Sequence, residues 1–208
     1  MNYLLPLVKA QRASGVMKHM SANNRVVLGQ KQTFLLIILF FAGLMFPLTA
    51  PAQTPFIDRY GISVGYGPSF HPKHTQVKMI FIDPYISHDF GNAWRGNLEA
   101  FIGMTLEPEN RVAVGLTPMA GYALDKYGWV NWFVEGGVGL FYTDVKVPGF
   151  GSAWVFSPQL GIGRLFKIDL KHSLNIRLRY HHLSNAYLNN NNTSIDSLFL
   201  MVGMEFGR

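Results

Sequence analysis

The sequence predicts an all-β fold, an eight-stranded antiparallel transmembrane β-barrel of the outer membrane, which follows an N-terminal leader. Three observations predict it. Apolar residues alternate with small or polar ones in segment after segment, which is the period of a β-strand. Clusters of Gly, Pro, Asn and Asp separate these segments, and no amphipathic helix interrupts them. One face of the segments is wholly apolar and the other is rich in glycine, which is typical of a barrel in lipid.

The leader, residues 1–52, has the composition of a signal peptide. Residues 34–46 form an unbroken apolar run, and the small residues 50–52 after it fit a signal-peptidase site with cleavage near 52/53. The run is short for a transmembrane helix, which needs about 20 residues. A retained membrane anchor is the alternative interpretation, and Met17 or Met20 could be the true start of the chain.

The positive charge of the chain belongs to this leader. The chain carries a formal net charge of +6, but the leader holds five basic residues and no acidic one. The remaining 13 basic residues nearly balance 12 acidic residues, so the charge does not point to a nucleic-acid partner. The absence of cysteine from the sequence excludes a disulfide framework and a thiolate metal site.

The barrel domain, residues 53–208, is predicted to contain eight strands. Their predicted ranges are 60–67, 75–88, 94–105, 111–124, 129–143, 153–166, 173–186 and 196–206. Eight strands leave an interior that side chains just fill, so we expect no channel. Asp83-Pro84 in the second strand predicts a bulge or an early end, because proline cannot donate to a ladder.

The apolar face is predicted to point outward into lipid. In the fifth strand Val134, Val138 and Leu140 share one face, while Glu135 and Gly137 share the other. A soluble lipocalin-like barrel, with the apolar face inward, is the alternative. Aromatic residues near strand ends on the apolar face favour the membrane, since such residues form interfacial girdles: Tyr66, Tyr122, Tyr142, Trp132 and Trp154.

A candidate ester-hydrolysing site lies where the seventh and eighth strands meet. The outward positions of the seventh strand continue from Tyr180 into His182 and Ser184, and the outward set of the eighth strand opens with Asp196. Pairing the two strands as a hairpin brings the three side chains together. Serine as nucleophile, histidine as base and a carboxylate that orients the imidazole form a hydrolytic trio. Asn185, next to the serine, could donate to an oxyanion. The alternative is that these polar groups merely mark the membrane–water interface.

The motif around this serine resembles a known family. His182-Leu183-Ser184-Asn185-Ala186, followed by Asn192 and by Asp196 twelve residues after the serine, resembles the PagL-type lipid A 3-O-deacylases. The resemblance implies an eight-stranded outer-membrane barrel that hydrolyses the ester-linked acyl chain at the 3-position of lipid A.

The resemblance covers residues 179–206 and carries roles over by position. It implies His182 as base, Ser184 as nucleophile and Asp196 as the orienting acid. Asn185 and Asn192 are implied as oxyanion-binding or site-shaping residues. Family members usually have Glu for the acid, and glycine where Tyr187 and Ser194 stand here.

Topology and partners follow from the even number of strands. Both ends of the barrel chain should lie on the periplasmic side, so the loop 187–195 faces outward, beside lipopolysaccharide. We therefore expect lipid A as substrate, no cofactor or metal, and no nucleic acid, and we leave a homodimer open. The alternative function is a non-enzymatic structural or adhesive barrel. His71 and His74 could bind a metal, and His181 is expected in an interior polar network.

Overall fold

The structure, a computed structural model, describes residues 57–186, 191 and 193–207, so the predicted leader lies outside it. Within these ranges no helix is long and apolar enough to cross a bilayer. The described chain forms eight strands and one single-turn 3-10 helix, Asp125–Tyr127, which starts the connection before the fifth strand.

The eight strands follow each other in chain order and close into a barrel. They are β1 (Arg59–His71), β2 (Lys78–Gly91), β3 (Trp94–Glu107), β4 (Arg111–Ala123), β5 (Trp132–Thr143), β6 (Trp154–Lys167), β7 (His172–Leu183) and β8 (Ile195–Gly207). Each strand pairs antiparallel with its neighbours in sequence, and β8 pairs with β1. The predicted eight-stranded barrel is confirmed.

Exposure alternates along every strand as the apolar pattern predicts. On β5, Val134 and Leu140 are exposed, whereas Glu135 and Phe141 are buried. The exposed face therefore carries the apolar side chains and the interior carries the glycines and most charges. This inverted polarity is that of a barrel in lipid, and it contradicts the lipocalin-like alternative.

The second strand departs from the prediction. β2 runs through Pro84, and its register with β1 is unbroken from Lys78 to Ser87, so the predicted bulge or early end at Asp83-Pro84 is wrong. The register with β3 shifts instead near the two ends of β2. Pro84 lacks the N–H that would donate to the ladder, but the φ of proline suits an extended chain. The neighbouring residues of β2 pair with β1 and β3, and this pairing keeps the strand continuous.

Charged side chains fill the middle of the barrel. Arg177 Nη1 lies 3.0 Å from Glu99 Oε1, and Arg179 Nη2 lies 2.6 Å from Glu135 Oε1. Asp83 lies 3.4 Å from Arg177 Nη2. All five side chains are almost completely buried. Buried charges are tolerated when they are paired, and here the pairs link four different strands across the interior.

Aromatic and aliphatic residues occupy the interior beyond these charges, toward the end where β7 and β8 are joined. His181 lies among the rings of Phe81, Phe101, Phe141 and Phe199, and its centroid is 4.7 Å from that of Phe199. Its Nε2 has no hydrogen-bond partner among the described residues. His181 also lines a small interior cavity together with Glu99 and Arg179. Its expected place in the interior polar network therefore stays a prediction.

Candidate active site

Strand register brings the predicted histidine and acid together. β7 and β8 pair so that His182 is directly opposite Asp196, and Leu183 opposite Ile195. Residues directly opposite in an antiparallel pair have neighbouring side chains on the same face. Both residues belong to the outward-facing sets of their strands, which Leu178 and Leu198 continue as exposed residues.

The two side chains form a short hydrogen bond. His182 Nδ1 lies 2.6 Å from Asp196 Oδ1, and the side chains are 32% and 14% exposed. The predicted proximity of Asp196 to His182 is confirmed, while their catalytic roles stay a prediction. Because Nδ1 faces the carboxylate, Nε2 is the imidazole nitrogen left to exchange a proton with another group.

Asp196 has two further hydrogen-bond donors that the sequence reasoning missed. The Tyr180 hydroxyl donates to Oδ1 at 2.6 Å, and the Ser194 hydroxyl donates to Oδ2 at 3.2 Å. The sequence pattern predicts only that Tyr180 belongs to the lipid-facing set. Its position two residues before His182, on the same face of the strand, is the signal in the sequence that could have indicated a contact with Asp196.

Ser184 lies just beyond the last residue of β7 and remains attached to β6. Its N–H donates to the carbonyl of Phe156 at 3.0 Å, and Phe156 N–H donates back at 2.8 Å. Ser184 is 8% exposed. Within the described residues its hydroxyl makes no hydrogen bond to His182, although the two residues share one strand end. Such contacts are often long without substrate and tighten in the complex.

The geometry of Asn185 favours a site-shaping role over an oxyanion role. Its Nδ2 donates to the carbonyls of Phe150, at 3.3 Å, and of Asn191, at 2.6 Å. The residue is 1% exposed. An amide nitrogen has two hydrogens, so both are already engaged by backbone carbonyls. Donation to an oxyanion would require one of these two bonds to break.

These bonds tie the end of β7 to two loops. Thr193 N–H donates to the carbonyl of Gly149 at 2.7 Å, so the β5–β6 connection also contacts the segment before β8. Ala186 turns the chain with a φ of +51°. Asn192, the other predicted site-shaping residue, lies outside the described residues.

The structure does not support a metal site at the other candidate residues. No group of three or more His, Asp or Glu side chains in the described part of the chain is arranged to hold a metal ion, and His71 and His74 belong to no such group. A cavity of about 370 Å³ opens at the opposite end of the barrel, lined by Arg59, Arg95 and Glu205 among others. That cavity contains none of the predicted catalytic residues.

The fold and the site together define a class. An eight-stranded antiparallel barrel that closes on itself and turns apolar side chains outward is an outer-membrane β-barrel. The chain matches the family model described as lipid A 3-O-deacylase (PagL) over residues 58–205. This chain therefore belongs to the PagL lipid A 3-O-deacylase family.

Solved structures share the fold. The crystal structure of the outer membrane enzyme PagL matches with a TM-score of 0.55 and 19% identity, covering 69% of this chain and 97% of that one. The crystal structure of Neisserial surface protein A matches with a TM-score of 0.53 and 12% identity, covering 72% and 96%. At such identities the likeness shows the fold alone. Comparison with curated protein sequences gives no significant match.

Proposed function

We propose that this protein hydrolyses the ester-linked acyl chain at the 3-position of lipid A, with Ser184 as nucleophile, His182 as base and Asp196 as orienting acid. Membership of the PagL family supports the reaction. The observation that carries the residue assignment is the 2.6 Å contact between His182 Nδ1 and Asp196 Oδ1, next to Ser184 at one strand end.

The reaction needs only the side chains of this trio and water. The Ser184 hydroxyl attacks the ester carbonyl carbon while His182 Nε2 accepts its proton, which gives a tetrahedral oxyanion. The carbon–oxygen bond to the sugar then breaks, and His182 returns the proton to the leaving sugar oxygen. Water attacks the acyl-serine with His182 again as base. The bond to Ser184 breaks, the fatty acid leaves, and serine regains its proton.

Asp196 holds the imidazole in the orientation that this sequence of steps requires. A carboxylate on Nδ1 fixes the tautomer with the Nε2 lone pair free, and it stabilises the imidazolium that forms. We assign Asn185 to shaping the turn after Ser184 through its two backbone contacts. Asn192 is proposed as a further site-shaping or oxyanion-binding residue on the family resemblance.

The site is proposed to face the outer leaflet from the exterior of the barrel. The outward parity of His182 and Asp196 supports this placement, since Leu178, Leu198 and Leu200 of the same sets are exposed. The even strand number supports an extracellular β7–β8 connection, since both chain ends of such barrels lie on the periplasmic side. The outer leaflet there consists of lipopolysaccharide, so acyl esters of lipid A lie at the same depth as the trio.

The deciding experiment compares lipid A from cells that express the wild-type chain with lipid A from cells that express Ser184→Ala. Mass spectrometry should show loss of one 3-hydroxyacyl chain with the wild type and none with the variant. Ser87→Ala is the matched control, because Ser87 is buried in β2, far from the trio. Heat-modifiable migration on gels verifies that each barrel folds. Unchanged lipid A in wild-type cells with a folded barrel would leave the non-enzymatic barrel as the better account.

A further inference from the structure

The carboxylate of Asp196 accepts more hydrogen bonds than a catalytic trio requires. In the described chain three side chains donate to its carboxylate. Tyr180 and His182 share Oδ1, each at 2.6 Å, and Ser194 donates to Oδ2 at 3.2 Å. Both carboxylate oxygens therefore accept at least one hydrogen bond.

The ring of Tyr180 is itself held in place. Tyr180 lies on β7 two residues before His182, on the same face, and opposite Leu198 of β8. Phe70 of β1 stacks against it, with ring centroids 6.1 Å apart and an interplanar angle of 29°. Because β8 lies between β1 and β7, the two rings meet across β8. The phenol is thus held by packing while its hydroxyl reaches the carboxylate.

We propose that Tyr180 is a positioning residue of this site, which fixes Asp196 so that Asp196 can orient His182; this inference rests on the proposed function. The terminal torsion of an aspartate is broad. Without Tyr180, the carboxylate would be held only by His182 at Oδ1 and by the longer bond from Ser194 at Oδ2. A hydrogen bond from a neutral phenol to a carboxylate is charge-assisted and strong. With Oδ1 fixed by Tyr180, His182 Nδ1–H has one defined acceptor.

The kinetic test uses Tyr180→Phe, which removes the hydroxyl and keeps the ring stacked on Phe70. We expect kcat on lipid A in mixed micelles to fall by about tenfold to a hundredfold, the scale of a small misplacement of catalytic groups, while KM stays within about twofold. Tyr66→Phe is the matched control, because Tyr66 is an outward tyrosine of β1 that is 46% exposed. It should leave kcat unchanged.

A second measurement does not depend on turnover. NMR of histidine-labelled protein in micelles should show a downfield, exchange-protected Nδ1–H proton of His182 in the wild type. In Tyr180→Phe that signal should move upfield and broaden, and in Tyr66→Phe it should not change.

The outcomes distinguish failure of the proposed deacylase function from failure of the proposed role of Tyr180. Wild-type protein without activity removes the proposed function, yet the NMR signal still shows whether Tyr180 orients His182. Tyr180→Phe with wild-type kcat and an unchanged Nδ1–H signal overturns the inference while leaving the deacylase intact. A fall in kcat accompanied by an equal rise in KM and loss of heat-modifiable folding also overturns it, because the role would then be structural.

Discussion

His182 and Asp196 stand directly opposite each other on β7 and β8, with Nδ1 and Oδ1 2.6 Å apart. Their contact arises from the register of two neighbouring strands in a closed barrel, so it is built into the scaffold. Catalytic groups placed on strands are held more precisely than groups on loops. Ser184, one residue past the end of β7, is held by its backbone pair with Phe156 of β6.

Replacing the acid should cost less activity than replacing the nucleophile. We expect Ser184→Ala to abolish deacylation and Asp196→Asn to leave a measurable rate, on the order of a hundredfold above the serine variant, as in other serine hydrolases. Asp196→Glu, which keeps the carboxylate, should retain more activity than Asp196→Asn. Rates on lipid A in mixed micelles provide the comparison. Equal loss in Asp196→Asn and Ser184→Ala would indicate a structural role for Asp196.

Asn185→Ala should lower stability and activity together. The substitution removes the donor from the buried carbonyl of Phe150 and from the more exposed carbonyl of Asn191, and the buried group alone costs about 1–3 kcal/mol of unfolding free energy. The temperature at which half of the protein loses the migration of the folded barrel on gels measures the stability. The deacylation rate is measured in parallel. A variant with wild-type stability and a rate reduced by about 10²–10³ would instead assign Asn185 to the oxyanion.

Gly151→Ala should impair the site while the barrel still folds. Gly151 has a φ of +76°, and a Cβ there would overlap the backbone carbonyl oxygen of Asn191. The loop segment before β8 would have to shift, so we expect a slower rate with unchanged heat-modifiable migration. Gly128→Ala is the matched control, because its φ is +85° and a Cβ there meets nothing within 4 Å. Equal rates in the two variants would show that the loop contact does not position the site.

Glu99→Gln should destabilise the barrel without touching the site. Glu99 is buried and pairs with Arg177 and Arg179, so its loss leaves buried arginines undercompensated, at a cost of about 3–5 kcal/mol. Glu107→Gln, which breaks an exposed pair with Lys78, should change the unfolding midpoint little, because solvent screens that pair. Urea unfolding in lipid vesicles measures both variants. Similar midpoints would show that the interior network adds little to stability.

Much of the barrel followed from the sequence because strand structure has a period of two. Each outward apolar residue, such as Val134 or Leu140, could be assigned to its face from its neighbours alone. The contact between His182 and Asp196 was accessible in the same way, since a hairpin fixes which residues lie opposite. Pro84 lies within β2 against its local propensity, because β1 and β3 pair with the residues around it.

The side-chain contacts around the site could not be predicted from this alternation. The Tyr180 hydroxyl reaches Asp196 through a particular rotamer, and Phe70 arrives from β1 at the far end of the chain, across the seam that closes the barrel. Asn185 finds the carbonyl of Phe150 35 residues earlier, in a different loop. The sequence by itself determined the strands, their faces and the motif. Only the closed tertiary structure decided which donors hold Asp196 and what Asn185 binds, because those contacts join segments that no local pattern relates.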